Sequence, residues 1–306
     1  MWAPRAGLSW GPDLPADVER AGGRDWFLVA GLADAQRIGM NHPMVYVEHG
    51  AGQTYLGLED HGSYAGGNTA GCDIRLYLAP NETIADRWRQ PTMRRAAGRA
   101  VAVGCPRLDR YAGRPPKCPI MKDRADGWRA AVGFAWHWQC DLVPETFTAW
   151  PFYELWMDEI ATQLRERRIV PVGHAHPRFA GRMARWYAGH GWPYLPDLDD
   201  MFDHCDVLVG DNTSALPEAA AAGLGLVWLN CPDYRRDVDH GGRFWDWPRG
   251  QPQCDDPSEV VAAIEQVLAD ETLVPVRERM VGSIYARPPG ESARAAVAAI
   301  LEAIAQ

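Results

Sequence analysis

Asp206-Val-Leu-Val-Gly-Asp211-Asn-Thr213-Ser214-Ala-Leu-Pro217-Glu218 is the stretch that decides the fold of this 306-residue chain. An apolar run reads as a buried strand, a polar turn follows, and a helix opens with Thr/Ser at its cap and Pro in its first turn. Strand, turn and helix in that order form the repeating unit of a parallel α/β sheet, whose ligands sit beyond the carboxyl ends of the strands. Backbone amides and the positive helix end make the turn a candidate anion site, with Asp211, Thr213 and Ser214 in it and Glu218 just inside the helix. Simple capping of the helix would use the same residues.

The alternation continues outward from this unit. Upstream, residues 130–136 and 169–172 read as strands, 152–167 and 178–189 as helices, and 198–204 as a short helical turn. Downstream, 214–222 is a helix, 225–229 a strand, and 257–269 and 291–304 are helices. A first series precedes these, with strands at 26–30, 44–48, 73–78 and 99–103 and a helix at 82–95. Residues 111–126, rich in Pro, Gly and basic side chains without apolar periodicity, read as a linker. The expectation is α/β: two Rossmann-like domains facing across a cleft, over residues 1–125 and 126–306, with the last helix able to cross back.

Composition narrows the function classes. Hydrophobic residues at 47% and charged residues at 23% describe an ordinary globular chain. Thirty-one basic against forty acidic residues give −9 at pH 7, which argues against a protein built to coat nucleic acid or anionic lipid. No apolar run reaches the ~18–20 residues of a membrane span, and Met1-Trp-Ala-Pro-Arg5 lacks a secretory signal, so a cytoplasmic location is expected. Whether the surface docks to a membrane is left open. The seven scattered cysteines form no Cys-x-x-Cys pair and read as reduced, buried thiols. Among fourteen tryptophans, Trp136-His-Trp138 and Trp245-Asp-Trp247 read either as stacking walls or as core.

Three further segments follow strands and carry chemistry. His49-Gly50-Ala-Gly52 places a candidate base beside glycines that let a ligand approach, or else holds a hydrogen-bonded loop histidine. In Gly173-His-Ala-His176-Pro-Arg178, His174 and His176 share a strand face and could ligate a metal. No other ligand cluster accompanies them and Pro177 ends the strand, so a phosphate contact through His176 and Arg178 is the expectation, with no metal. Arg243, in the glycine-hinged loop Asp239-His240-Gly-Gly-Arg243-Phe-Trp-Asp246, has the geometry to bind a diphosphate bidentately.

Taken in order, His49-Gly50, Gly104-Cys-Pro106-Arg107-Leu-Asp109, His176-Pro177, Asp211-Asn-Thr213-Ser214 and Gly242-Arg243-Phe-Trp-Asp246 resemble the CDP-glycerol glycerophosphotransferases and related polyol-phosphate polymerases of teichoic acid synthesis. The resemblance spans roughly residues 44 to 270 and implies a GT-B fold. It implies that His49 deprotonates the acceptor hydroxyl, and that His176, Thr213, Ser214 and Arg243 hold the donor pyrophosphate and stabilise its leaving charge. Gly50, Arg107, Arg178, Asp211 and Glu218 are placed on the donor side. It implies no cofactor, a nucleotide-diphosphate donor with CDP favoured, and a hydroxyl acceptor such as a glycan or polyol phosphate; no nucleic-acid partner is expected. Two departures stand out: no Lys follows His49-Gly50, and Phe134-Ala-Trp136-His137-Trp138-Gln139 replaces a Pro-Thr-x-Arg turn. The rival readings are a nucleotide-sugar glycosyltransferase, a UDP-N-acetylglucosamine 2-epimerase-like enzyme, a non-catalytic nucleotide- or glycan-binding protein, and a metal-dependent hydrolase.

Overall fold

The structure is a computed structural model that describes residues 25–30, 32–48, 71–89, 99–117, 127–138, 148–211, 213–233 and 247–306. Two all-parallel sheets carry the chain. The first has four strands in the order β1-β2-β3-β4: β1 (Phe27–Val29), β2 (Met44–Val47), β3 (Ile74–Ala79) and β4 (Arg99–Ala102). Helices α1 (Leu32–Ile38) and α2 (Glu82–Arg89) accompany it. Its strands are apolar on both faces because both are covered. On one side Ile84, Ala85 and Trp88 of α2 pack with Tyr46 and Tyr77, Trp88 stacking on Tyr77 at 4.2 Å.

The second sheet has five strands in the order β6-β5-β7-β8-β9. They are β5 (Ala130–Trp136), β6 (Ile169–Ala175), β7 (Val207–Gly210), β8 (Gly225–Leu229) and β9 (Gln253–Cys254). Every residue of β5 is buried, as expected of a central strand. Around the sheet lie α3 (Trp150–Tyr153), α4 (Met157–Glu166), α5 (Pro177–Gly189), α6 (Leu198–His204), α7 (Ala215–Ala221), α8 (Val260–Ala269) and α9 (Leu273–Ile284). Relative to β5 the chain first adds a strand on one side, then three on the other. The direction reverses between β5 and β7, and a parallel sheet opens its ligand crevice at such a switch point.

The last helix, α10 (Ser292–Ile304), lies on the first sheet. Ala296 and Ala299 pack with Val45, Leu76, Leu78 and Val103, and Arg99 pairs with Glu302 at 2.7 Å. Asp109 caps this helix from the segment after β4, accepting from the amides of Gly290 (2.7 Å), Ser292 (3.2 Å) and Ala293 (2.6 Å). Ala286 N–H also donates to the Pro80 carbonyl at 2.8 Å.

Several elements differ from their sequence reading. The helix read over 152–167 begins earlier, at Trp150, where Pro151 suits a first turn, and a 3-10 turn at Glu154–Trp156 divides it from α4. β6 runs on through Gly173-His174-Ala175, paired with Phe134, Ala135 and Trp136 of β5, and the space of a Gly173 Cβ is occupied by the Tyr187 ring, 2.4 Å from where that atom would stand. Only glycine lets α5 approach the strand so closely. The residues after β4 form a 3-10 helix, Pro106–Tyr111, and α9 and β9 are additional elements. The helix read over 82–95 is described as far as Arg89. The boundary expected at residues 125 and 126 lies outside the described residues. At the start of the expected linker, Tyr111 is buried and Lys117 Nζ donates to the carbonyls of Phe202 (2.7 Å), Asp203 (2.9 Å) and Cys205 (2.8 Å). The described cysteines 72, 105, 205, 231 and 254 are free thiols. Among the described residues no helix is long and apolar enough to cross a membrane.

Candidate functional site

The carboxyl ends of β5, β6 and β7 bring the candidate residues together. Asp211, one residue past β7, is fully buried. Its carboxylate accepts from the amide of His137 (2.8 Å), the hydroxyl of Thr148 (2.8 Å) and the amide of Ala149 (2.9 Å). Burial raises its pKa to about 6, and those three hydrogen bonds limit the rise. Asp211 therefore ties the end of β5 to the end of β7 across the switch point, and its contribution to any ligand passes through the loops it holds.

Thr213 and Ser214 follow, half-buried at the start of α7. Thr213 Oγ1 accepts from the Ala215 amide at 3.2 Å, which leaves its proton available to a ligand oxygen. Ser214 occupies the cap position without a side-chain cap bond, so the cap read from the sequence is supplied by Thr213.

From β6, His174 is buried and its Nδ1 meets the Leu195 carbonyl at 2.8 Å, while burial lowers its pKa. His176 caps α5, its Nδ1 accepting from the Arg178 amide at 3.2 Å. With Nδ1 an acceptor, the ring proton sits on Nε2, which then donates. The His176 ring lies 5.8 Å from that of His137 and 5.9 Å from that of Trp138. The Arg178 guanidinium stands over Trp138, 4.4 Å from the ring centroid. The end of β5, which lacks an arginine of its own, thus receives one from α5, the helix that follows β6. Of the two tryptophans in that motif, Trp136 is core and donates to the Tyr187 hydroxyl at 2.8 Å, whereas half-buried Trp138 faces the site. No group of three His, Cys, Asp or Glu side chains among the described residues is placed to hold a metal.

Arg107 and Glu218 meet each other. Arg107 Nη1 donates to Glu218 Oε2 at 2.8 Å and Nη2 to Asp199 Oδ1 at 2.8 Å, so a residue following the first sheet is clamped to two helices of the second. Burial raises the Glu218 pKa to about 7, with Asp199 adding to the rise and Arg107 opposing it. Burial also pushes Asp199 up, but Arg107, Tyr111 and Arg110 outweigh it and hold this carboxyl below its usual range. Arg110 and Arg114 extend the ladder to Asp203 at 3.2 Å and 2.7 Å. This clamp joins Arg107 to residues 92 and 111 positions away, and no local pattern in the chain announces it. His49, Gly50 and Arg243 lie outside the described residues.

Neither a family model nor a curated protein matches this sequence. Solved structures do match in shape. A variant of the wall teichoic acid polymerase TagF with CDPG aligns with a TM-score of 0.57 and 12% identity over 87% of this chain and 68% of that one. The S. aureus MnaA–UDP structure aligns with a TM-score of 0.53 and 15% identity, over 92% of this chain and 76% of that one. A UDP-N-acetylglucosamine 2-epimerase aligns with a TM-score of 0.54 and 12% identity, over 94% of this chain and 74% of that one. Together with the two parallel sheets, these show the fold: the chain is GT-B-like.

Proposed function

We propose that this chain is a transferase that holds a nucleotide-diphosphate donor at the carboxyl ends of β5, β6 and β7 and passes the activated group to a hydroxyl acceptor. The observation that carries the reading is the switch point itself. Asp211 locks its two sides together, and His176, Arg178, Thr213 and Ser214 surround its mouth. Phosphoryl-type transfer needs positioning and neutralisation of leaving charge more than covalent help from the protein, and an Arg, an imidazole N–H and two hydroxyls supply both.

Within that class we favour a CDP-linked donor and a glycerophosphate-like group, on the motif order from His49-Gly50 to Gly242-Arg243 and on the likeness to the TagF structure with CDPG. In this reading the second sheet's domain holds the donor, Arg243 joins the pyrophosphate contacts, and the first sheet's domain presents the acceptor with His49 as base. A UDP-sugar enzyme of glycosyltransferase or epimerase type is the second reading, favoured by the likeness to the MnaA–UDP structure. The turn Thr213-Ser214-Ala215 followed by a single Glu218, in place of Ser-Gly-Gly before Glu-Glu, weighs for the transferase.

A thermal-shift panel of CDP-glycerol, UDP-N-acetylglucosamine and a GDP-sugar decides among them. A ligand at ~100 times its dissociation constant adds about 2.7 kcal/mol and raises the melting temperature by several degrees. CDP-glycerol alone should produce that shift, with CDP release seen by mass spectrometry once an acceptor is present. A shift with UDP-N-acetylglucosamine alone would transfer the assignment to the second reading, and binding without turnover on any acceptor would make the chain a binding protein.

A further inference from the structure

Arg178 is placed where a structural role explains it poorly. It is the second residue of α5, a thirteen-residue helix whose first turn holds no acidic side chain. A cation there faces the positive end of the helix dipole, the end that favours anions. Arg107, Arg110, Arg114 and Arg182 each pair with a carboxylate, whereas no carboxylate pairs with Arg178 among the described residues. Among the described residues its guanidinium meets an aromatic face, which orients the cation without neutralising it. That face belongs to Trp138, held by the end of β5 through the bond from the His137 amide to Asp211.

We infer that Trp138 is a positioning residue, whose indole seats the Arg178 guanidinium at the mouth of the β5–β7 crevice so that this cation meets the diphosphate of the donor. The inference rests on the donor reading above. An arginine on a flexible stem loses side-chain freedom on binding, and a seat that restricts it beforehand reduces that loss. The same seat accounts for the missing arginine after β5: an aromatic stands there, and the charge arrives from α5.

The test is a double-mutant cycle on the full chain, with CDP, UDP and inorganic pyrophosphate as calorimetric probes and melting temperatures as the folding control. Arg178→Ala should weaken binding about 10- to 100-fold, the value of a charge-assisted hydrogen bond. Trp138→Leu should weaken it about 3- to 30-fold through the lost seat. The double variant should bind no more weakly than Arg178→Ala alone, because the seat has no other purpose. Trp138→Phe, which keeps a ring face, should restore most of the affinity. Should Trp138→Leu fail to fold, Trp138→Met, unbranched and gap-filling, completes the cycle in its place. Additive losses in the double variant, or wild-type affinity in a folded variant lacking the ring, would overturn the seat while leaving the donor reading in place. Failure of the wild type to bind all three probes would overturn both together.

Discussion

Removing the Arg107 guanidinium should destabilise the protein in a pH-dependent way, and the size of the effect follows from Glu218. That carboxyl is 6% exposed, and burial raises its pKa to about 7 even with Arg107 at 2.8 Å. A group whose folded pKa lies above its unfolded value contributes stability that is complete below the unfolded pKa and is lost as pH rises through the folded one. For Glu218 the window runs from about 4.5 to about 7, and the loss across it is about 3 kcal/mol at 1.36 kcal/mol per pKa unit. Arg107→Ala removes the cation that opposes the rise, so the folded pKa climbs further and the loss extends above neutrality. Breaking a fully buried ion pair costs about 3–5 kcal/mol. Because the Arg107 side chain is 40% exposed, the low end applies after discounting, about 2–3 kcal/mol near pH 8. Near pH 5.5 Glu218 carries its proton in both proteins, and the difference should fall below about 1 kcal/mol, the remainder reflecting the lost Asp199 contact. Thermal melts at the two pH values measure this, with about 4–8 °C expected near pH 8. Glu218→Gln in the Arg107→Ala background should recover most of that loss. An equal destabilisation at both pH values, or none near pH 8, would refute the reasoning.

Three further outcomes follow from the packing and the loops. Asp211→Ala leaves the His137 and Ala149 amides and the Thr148 hydroxyl without their acceptor; it should cost about 3–5 kcal/mol in a melt, with Asn recovering part. Gly173→Ala should cost about 1–3 kcal/mol, since its Cβ would stand 2.4 Å from the Tyr187 ring, and adding Tyr187→Leu should relieve it. His49→Ala should lower turnover by roughly two to four powers of ten with donor affinity nearly unchanged, whereas His176→Ala should weaken both; wild-type turnover in His49→Ala would remove it from the mechanism.

The strands were legible in the chain because a parallel sheet buries both faces, so Ala130–Trp136 and Gly225–Leu229 appear as unbroken apolar runs. What escaped has a physical reason in each case. Gly173-His174 falls just past the strand read over 169–172, and it belongs to β6 because the pairing with β5 continues through it, a register set by a partner distant in sequence. α9 carries Pro275, Gly282 and three charged residues, which blur its helical period, and its identity comes from packing Met280 and Ile284 on the second sheet's core. At the site, strand-end placement put His176, Thr213 and Ser214 in view. The inward turn of Asp211 and the pairing of Arg107 with Glu218 were not visible, since both depend on partners distant in sequence. Trp138 was visible only as one of two tryptophans; strand alternation would put both on one face, but β5 ends at Trp136, which stays in the core, and Trp138 lies past the strand end at the mouth.

Hydrogen exchange by mass spectrometry, with and without saturating CDP-glycerol, tests most directly where the donor binds. The account predicts slowed exchange in the peptides covering residues 136–138, 174–180 and 211–218, the ends of β5, β6 and β7, with the Arg178→Ala variant losing that protection. Protection confined to the first sheet, or to the outer faces of α8 and α9, would contradict it.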